Sequence, residues 1–229
     1  MFRSLVLVAV AAFAFSACDS TDDPDTQVDL SVRTATDVAA DPAQRNPDGS
    51  PGTATNRYTL YSLRENRVVL NYNTASRADS ATTAWDIGFR GTSIIVNGGT
   101  SGPGQGQAVV IAAPFAEVTG VPVGTAFRTD GTDTCGTRPA RALCEISGDA
   151  NGFYTYTPFT GSPGGYITPT AGRTILVRTA DGAGYAKVQV RSYYQGALEA
   201  SAIVPGSVGR YYTFSYVLNP SGTSFTAAL

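Results

Sequence analysis

From Arg57 onward the chain is a series of short runs rich in aromatic and β-branched residues, each cut off by Gly, Pro, Asn or Asp. Nowhere does a helical repeat persist for three turns. Such runs read as strands, because successive side chains along a strand face opposite ways and turn residues supply the backbone geometry that strands lack. The C-terminal third shows this most clearly. Arg173 to Thr179 leads into the turn Asp181-Gly182 and then Tyr185 to Tyr194, where Ala186, Val188 and Val190 alternate with Lys187, Gln189 and Arg191, a hairpin pattern. Tyr211 to Leu218 places Tyr212, Phe214, Tyr216 and Leu218 on one face, and Asn219-Pro220-Ser221-Gly222 is expected to turn the chain into a last strand near Phe225. Upstream, Tyr58 to Leu63 and Arg67 to Tyr72 flank Arg64-Glu65-Asn66 as a second hairpin, and Thr83 to Arg90 pairs with Ser93 to Asn97 around Gly91. The expectation is an all-β fold, one antiparallel domain over residues 57–229, whose loop-rich middle runs from Gly98 to Gly165. Its length of about 170 residues is ample for one hydrophobic core.

Residues 1–17 read as an address. Arg3 precedes an unbroken apolar run, Leu5 to Phe15, and then Phe15-Ser16-Ala17-Cys18. At 1.5 Å of rise per residue that run covers roughly half of a ~30 Å hydrocarbon core, which suits a cleaved signal better than a membrane span. Small residues before a cysteine resemble the lipobox of bacterial lipoproteins, so Cys18 is the expected lipid attachment site; each buried CH₂ of an acyl chain contributes ~0.8 kcal/mol to membrane binding. The alternative is an ordinary secretory signal with a chance cysteine. Residues 18–56, rich in Asp, Thr, Ala, Pro and Gly, read as a flexible tether. Their acidic start at Asp19 is either a solubilising leader or a surface-display signal.

Charge excludes one class of partner. The chain carries 16 basic and 18 acidic residues, a net of −2 that becomes −3 once Arg3 leaves with the signal, and Lys187 is the only lysine. Nucleic acid needs a concentrated basic stripe, which is absent. Cys135 and Cys144, in a chain bound for an oxidising compartment, are expected to pair, whereas a redox or metal pair would want C-x-x-C spacing and further ligands. With no histidine at all, histidine triads, histidine–zinc sites and imidazole bases are excluded. The carboxylates Asp86, Glu117, Asp130, Asp133, Glu145 and Asp149 show no catalytic spacing, and Asp130 and Asp133 beside Gly131 look like turn residues more than calcium ligands. The chain is therefore read as a binding protein and not an enzyme. Gly98 to Gly106 lacks the lysine and helix of a phosphate loop; it either opens over a ligand or links two strands. Of the many late tyrosines, most are expected to pack in sheets, and a minority to line a pocket for a flat apolar ligand.

Several blocks in order then resemble the HmuY-like lipoproteins: Trp85-Asp86-Ile87-Gly88-Phe89-Arg90, Ile94 to Thr100, Gly172 to Gly182, Tyr185-Ala186-Lys187-Val188, Ser192-Tyr193-Tyr194 and Tyr211-Tyr212-Thr213-Phe214. The resemblance implies a lipid-anchored protein at the outer membrane, on its surface or periplasmic face, that captures haem or a related tetrapyrrole and passes it to a TonB-dependent receptor. Family members hold the iron with two histidines or two methionines. Here there is no histidine, and Met1 is the sole methionine. Haem iron also accepts tyrosinate or thiolate, so Tyr154, Tyr156 and Tyr166 stand as candidate ligand-binding residues, and Cys135 or Cys144 only if unpaired. The alternatives left open are an iron-free porphyrin bound by stacking, or a partner-binding lipoprotein that has kept the fold and lost the haem site.

Overall fold

The computed structural model describes residues 28–43 and 52–226; the signal, Cys18 and the acidic leader lie outside them. Eleven strands are described: β1 (Arg33–Ala39), β2 (Thr59–Ser62), β3 (Arg67–Leu70), β4 (Ile87–Arg90), β5 (Ser93–Val96), β6 (Gln107–Ile111), β7 (Tyr154–Pro158), β8 (Gly165–Pro169), β9 (Thr174–Arg178), β10 (Tyr185–Tyr194) and β11 (Gly209–Asn219). The helical segments among the described residues are three short 3₁₀ turns. The strands form a five-stranded sheet in the order β1-β11-β10-β9-β6, a four-stranded sheet in the order β3-β2-β4-β5, and the separate hairpin β7-β8. Every ladder is antiparallel.

The three hairpins read from the sequence are present, as β2-β3, β4-β5 and β9-β10. Between the two sheets lies the main core, where Phe89 of the smaller sheet meets Tyr212 and Phe214 of the larger at ring distances of 4.6 and 5.3 Å. Burying such side chains contributes roughly 1.5–3 kcal/mol each and drives the two sheets together. The outer faces are covered too. Trp85 packs with Leu60 and Ile95 behind the smaller sheet, and Val118 and Phe225 pack with Leu176 and Val217 behind the larger.

Two expectations are corrected. Residues 33–39, placed in the tether, form an edge strand, β1, paired to β11 from Arg33↔Tyr216 to Ala39↔Tyr211. A bulge between Ala35 and Val38, with Asp37 at φ 53°, spaces the two core-facing residues three apart, which erases the period-two signal. Phe225 is buried, but its segment makes only an isolated bridge, Gly120↔Ser224, and not a strand. Lys187, which alternates with Ala186 and Val188 and so lies on the other face of β10, is only 7 % exposed because residues 115–118 fold over it. Its Nζ donates to the carbonyls of Phe115 (2.9 Å) and Val118 (2.8 Å).

Candidate functional site

The space between the sheets is filled. A void bounded by Phe89, Ile94, Val188 and Phe214 measures about 10 Å³, roughly one water's worth. A ligand site has to lie at the margin of the sandwich.

A groove of 430 Å³ opens where five pieces of chain converge: the segment after β1 (Pro42, Ala43), the β7-β8 hairpin (Tyr156, Ile167), the end of β10 (Tyr193, Tyr194), the β10-β11 connection (Val208) and the start of β11 (Arg210). That volume lies within the ~300–1,000 Å³ typical of small-molecule sites. Consecutive strand residues normally face opposite ways, yet Tyr193 and Tyr194 both line this groove. The β10-β11 register slips between Ser192 and Tyr194, and the Ser192 hydroxyl donates to Leu198 O (2.9 Å) while accepting from Tyr194 N–H (3.2 Å), which re-aims the strand end. The two rings stand edge to face, centroids 5.6 Å apart and planes at 88°. Glycines let the aromatic floor form: a Cβ at Gly165 would fall 2.6 Å from the Tyr156 hydroxyl, and one at Gly209 would press the Tyr193 ring at 3.1 Å.

The phenols differ in what they can still do. Tyr194 Oη accepts from Ile167 N–H (3.0 Å), closing a wall between the groove and a neighbouring 220 Å³ cleft that reaches Arg173 and Glu199. Burial raises the pKa of both Tyr193 and Tyr194, the Arg210 cation partly opposing it at Tyr193, so both are neutral phenols at physiological pH. Tyr156 is 46 % exposed at the rim. Arg210 takes a left-handed backbone at φ 66° and is held by Nη1 donating to Asp41 O (2.9 Å) and by its own carbonyl accepting from Ala40 N–H (2.8 Å).

Of the three tyrosines singled out in the sequence, one lies here. Tyr156 lines the groove; Tyr154 is buried against Phe153, ring centroids 5.1 Å apart; Tyr166 stacks on Phe159 at 5.3 Å, on the hairpin face opposite Tyr156. Tyr193, Tyr194 and Arg210 are added by the structure. The tandem Tyr193-Tyr194 before Gln195-Gly196 was their one legible signal.

The other candidates resolve as architecture. Cys135 and Cys144 form a disulfide with Cα atoms 5.3 Å apart, so neither is free to bind iron. Asp133 accepts from Thr129 N–H (2.7 Å), the local bond of a turn residue, whereas Asp130 is fully buried and accepts from Val96 N–H (3.0 Å) and Ala142 N–H (2.8 Å), tying β5 to the disulfide loop. Among the described residues no group of three or more Cys, Asp or Glu is gathered to hold a metal ion. The Gly98–Gly106 segment is a strand link and not a lid. Asn97 donates to Thr82 O (2.9 Å) and Trp85 O (2.7 Å) and accepts from Gly104 N–H (3.0 Å), pinning the loop against β5 and away from the groove.

The family model described as HmuY protein matches residues 54–216. No curated protein matches the chain. A crystal structure of the apo HmuY analogue of Tannerella forsythia is similar at 13 % identity and a TM-score of 0.42, over 83 % of this chain and 96 % of that one.

Proposed function

The chain belongs to the HmuY family, and from that premise we propose that it is a non-enzymatic binding protein that captures haem or a related tetrapyrrole in the groove between the β7-β8 hairpin and the end of β10. The observation that carries this reading is the groove itself: a 430 Å³ opening with an aromatic lining at the sandwich margin, with Tyr156 and Val208 left 46 and 47 % exposed at its lip. Apolar side chains on a β-scaffold, left exposed among the described residues, suit a flat hydrophobic ligand that covers them on binding. The iron, where present, is cargo. Tyr156 is the groove phenol exposed at the rim, which makes it the candidate axial ligand.

The rest of the proposal follows from the leader. Cys18 carries the lipid, anchoring the domain to the outer membrane, and a TonB-dependent receptor takes the ligand on. Titrating the purified mature protein with haemin tests the central claim: a shifted Soret band that saturates at one equivalent is expected. A spectrum that stays that of free haemin, with no protection of the 205–210 segment from proteolysis, counts against it. The second reading, a partner-binding lipoprotein without haem, draws on the total lack of histidine. It predicts co-purification with an outer-membrane receptor and no pigment.

A further inference from the structure

Resting on that reading, we infer that Arg210 is the specificity-determining residue of the groove, holding a carboxylate of the ligand while the flat body lies on Tyr156 and Tyr193, so that recognition does not depend on iron. Arg210 stands on a wall shared by two spaces. On one side is the aromatic groove; on the other is a 290 Å³ pocket whose lining includes Arg90, Glu145 and Asn56. An amphipathic ligand whose apolar plate carries acid groups at one edge matches that sequence of surfaces.

Charge points the same way. The ion pairs among the described residues are Arg33–Asp29, Arg64–Asp181 and Arg67–Glu65, so among those residues Arg210 has no carboxylate partner. One nitrogen of its guanidinium is engaged by Asp41 O, and the fork retains further donors for a second acceptor. Arg90, stacked 4.6 Å over Tyr58 and donating to Asn56 O, adds a second cation to the polar pocket, whose two carboxylates are Glu145 and Asp41, the latter already accepting from Thr55 and from Asn56 N–H. The site is also held before any ligand arrives. Arg210 keeps a left-handed backbone that a non-glycine residue adopts only when its surroundings impose it, here through Ala40, Asp41 and the β1 edge. A preset cation beside an aromatic floor loses little entropy on binding.

Three ligands separate the terms: haemin, iron-free protoporphyrin IX and protoporphyrin dimethyl ester, each titrated into the full mature protein in detergent by fluorescence quenching. Haemin and protoporphyrin IX are expected to bind within about threefold of each other, and the ester about 10- to 100-fold more weakly, the range for a lost charge-assisted hydrogen bond. Arg210→Gln should weaken the diacid to the level of the ester and leave the ester unchanged, and Arg210→Lys should recover part of the loss. Circular dichroism melting confirms that each variant is folded, and the wild-type comparison of diacid with ester needs no variant. The inference is overturned if haemin binds and protoporphyrin does not, or if the ester binds as well as the diacid. Should none of the three bind, the tetrapyrrole reading fails with it, an outcome distinct from the other two.

Discussion

Asp86 shows how much a single buried side chain coordinates in this fold. Its two carboxylate oxygens accept from Leu63 N–H and Ala180 N–H, each at 2.9 Å, and so tie the β2-β3 turn of one sheet to the β9-β10 turn of the other. Asp86→Ala strands two buried donors at about 1–3 kcal/mol each, so its urea midpoint should correspond to a loss of roughly 2–6 kcal/mol. Asp86→Asn keeps one acceptor and should lose about half as much. Burial raises the pKa of Asp86 in spite of those two hydrogen bonds. The native state thus holds its proton more readily than the unfolded chain, and this group's contribution to stability grows as pH falls from the raised native value toward 3.8. The gap between wild type and Asp86→Asn should therefore widen in acid. A gap that narrows there would mean the carboxylate is more acidic in the fold than in the open chain.

At the level of elements, the bulge in β1 does for the groove what Asp86 does for the core. Asp37 sits at φ 53° and accepts from Gly196 N–H with both carboxylate oxygens, at 2.9 and 3.1 Å, fastening the start of the β10-β11 connection that supplies Val208 to the site and leads into Arg210 at the start of β11. Asp37→Ala loses the acceptor and keeps the left-handed backbone, whereas Asp37→Gly loses only the acceptor. The glycine variant should be the more stable by about 1 kcal/mol, while both loosen the connection and weaken ligand binding severalfold without removing a groove residue. Equal stability of the two would show that the bulge relaxes in the alanine variant. The same bulge explains what the sequence concealed. Strands β10 and β11 were legible because alternation survives along most of their sequence, and β9 because its apolar run Ile175-Leu176-Val177 leads into the Asp181-Gly182 turn; β1 was not, because its alternation breaks at Thr36-Asp37 and its inward residues are only Ala35 and Val38. The site was hidden for a related reason. Alternation sends Tyr193 and Tyr194 to opposite faces, and only the register slip after Ser192 gathers them, while the left-handed turn of Arg210 has no glycine or asparagine to announce it. Tyr154 and Tyr156 do share a strand face as their spacing requires, but one lies under the sandwich and the other at its rim, a difference of depth that spacing does not encode.

Across the whole molecule the two sheets are joined by phenols as much as by hydrocarbon. Tyr212 Oη donates to Gly91 O (2.9 Å) and Tyr216 Oη to Leu63 O (2.8 Å), each reaching from β11 across the core to a turn of the smaller sheet. Tyr61, Tyr193, Tyr212 and Tyr216 all have a pKa raised above 10.0, burial being the largest cause in each. No histidine interrupts the interval between the carboxylates and the phenols. Stability should therefore be nearly level through neutral pH and then fall as pH rises past 10.0, because the unfolded chain releases phenolic protons that the native core retains. Lys187 works in the other direction, its pKa lowered by burial so that the unfolded chain holds its proton longer, but it is one group against these four and against Tyr194 and Tyr211, which burial also raises. In an alkaline titration these tyrosines should remain silent until the chain unfolds, and their phenolate absorbance should then appear in a single cooperative step that coincides with loss of β-sheet circular dichroism. Phenolate absorbance rising gradually from pH 10.0 while the sheet signal holds would mean that solvent reaches the space between the sheets, and that the contact across it is looser than the 4.6 Å approach of Phe89 to Tyr212 requires.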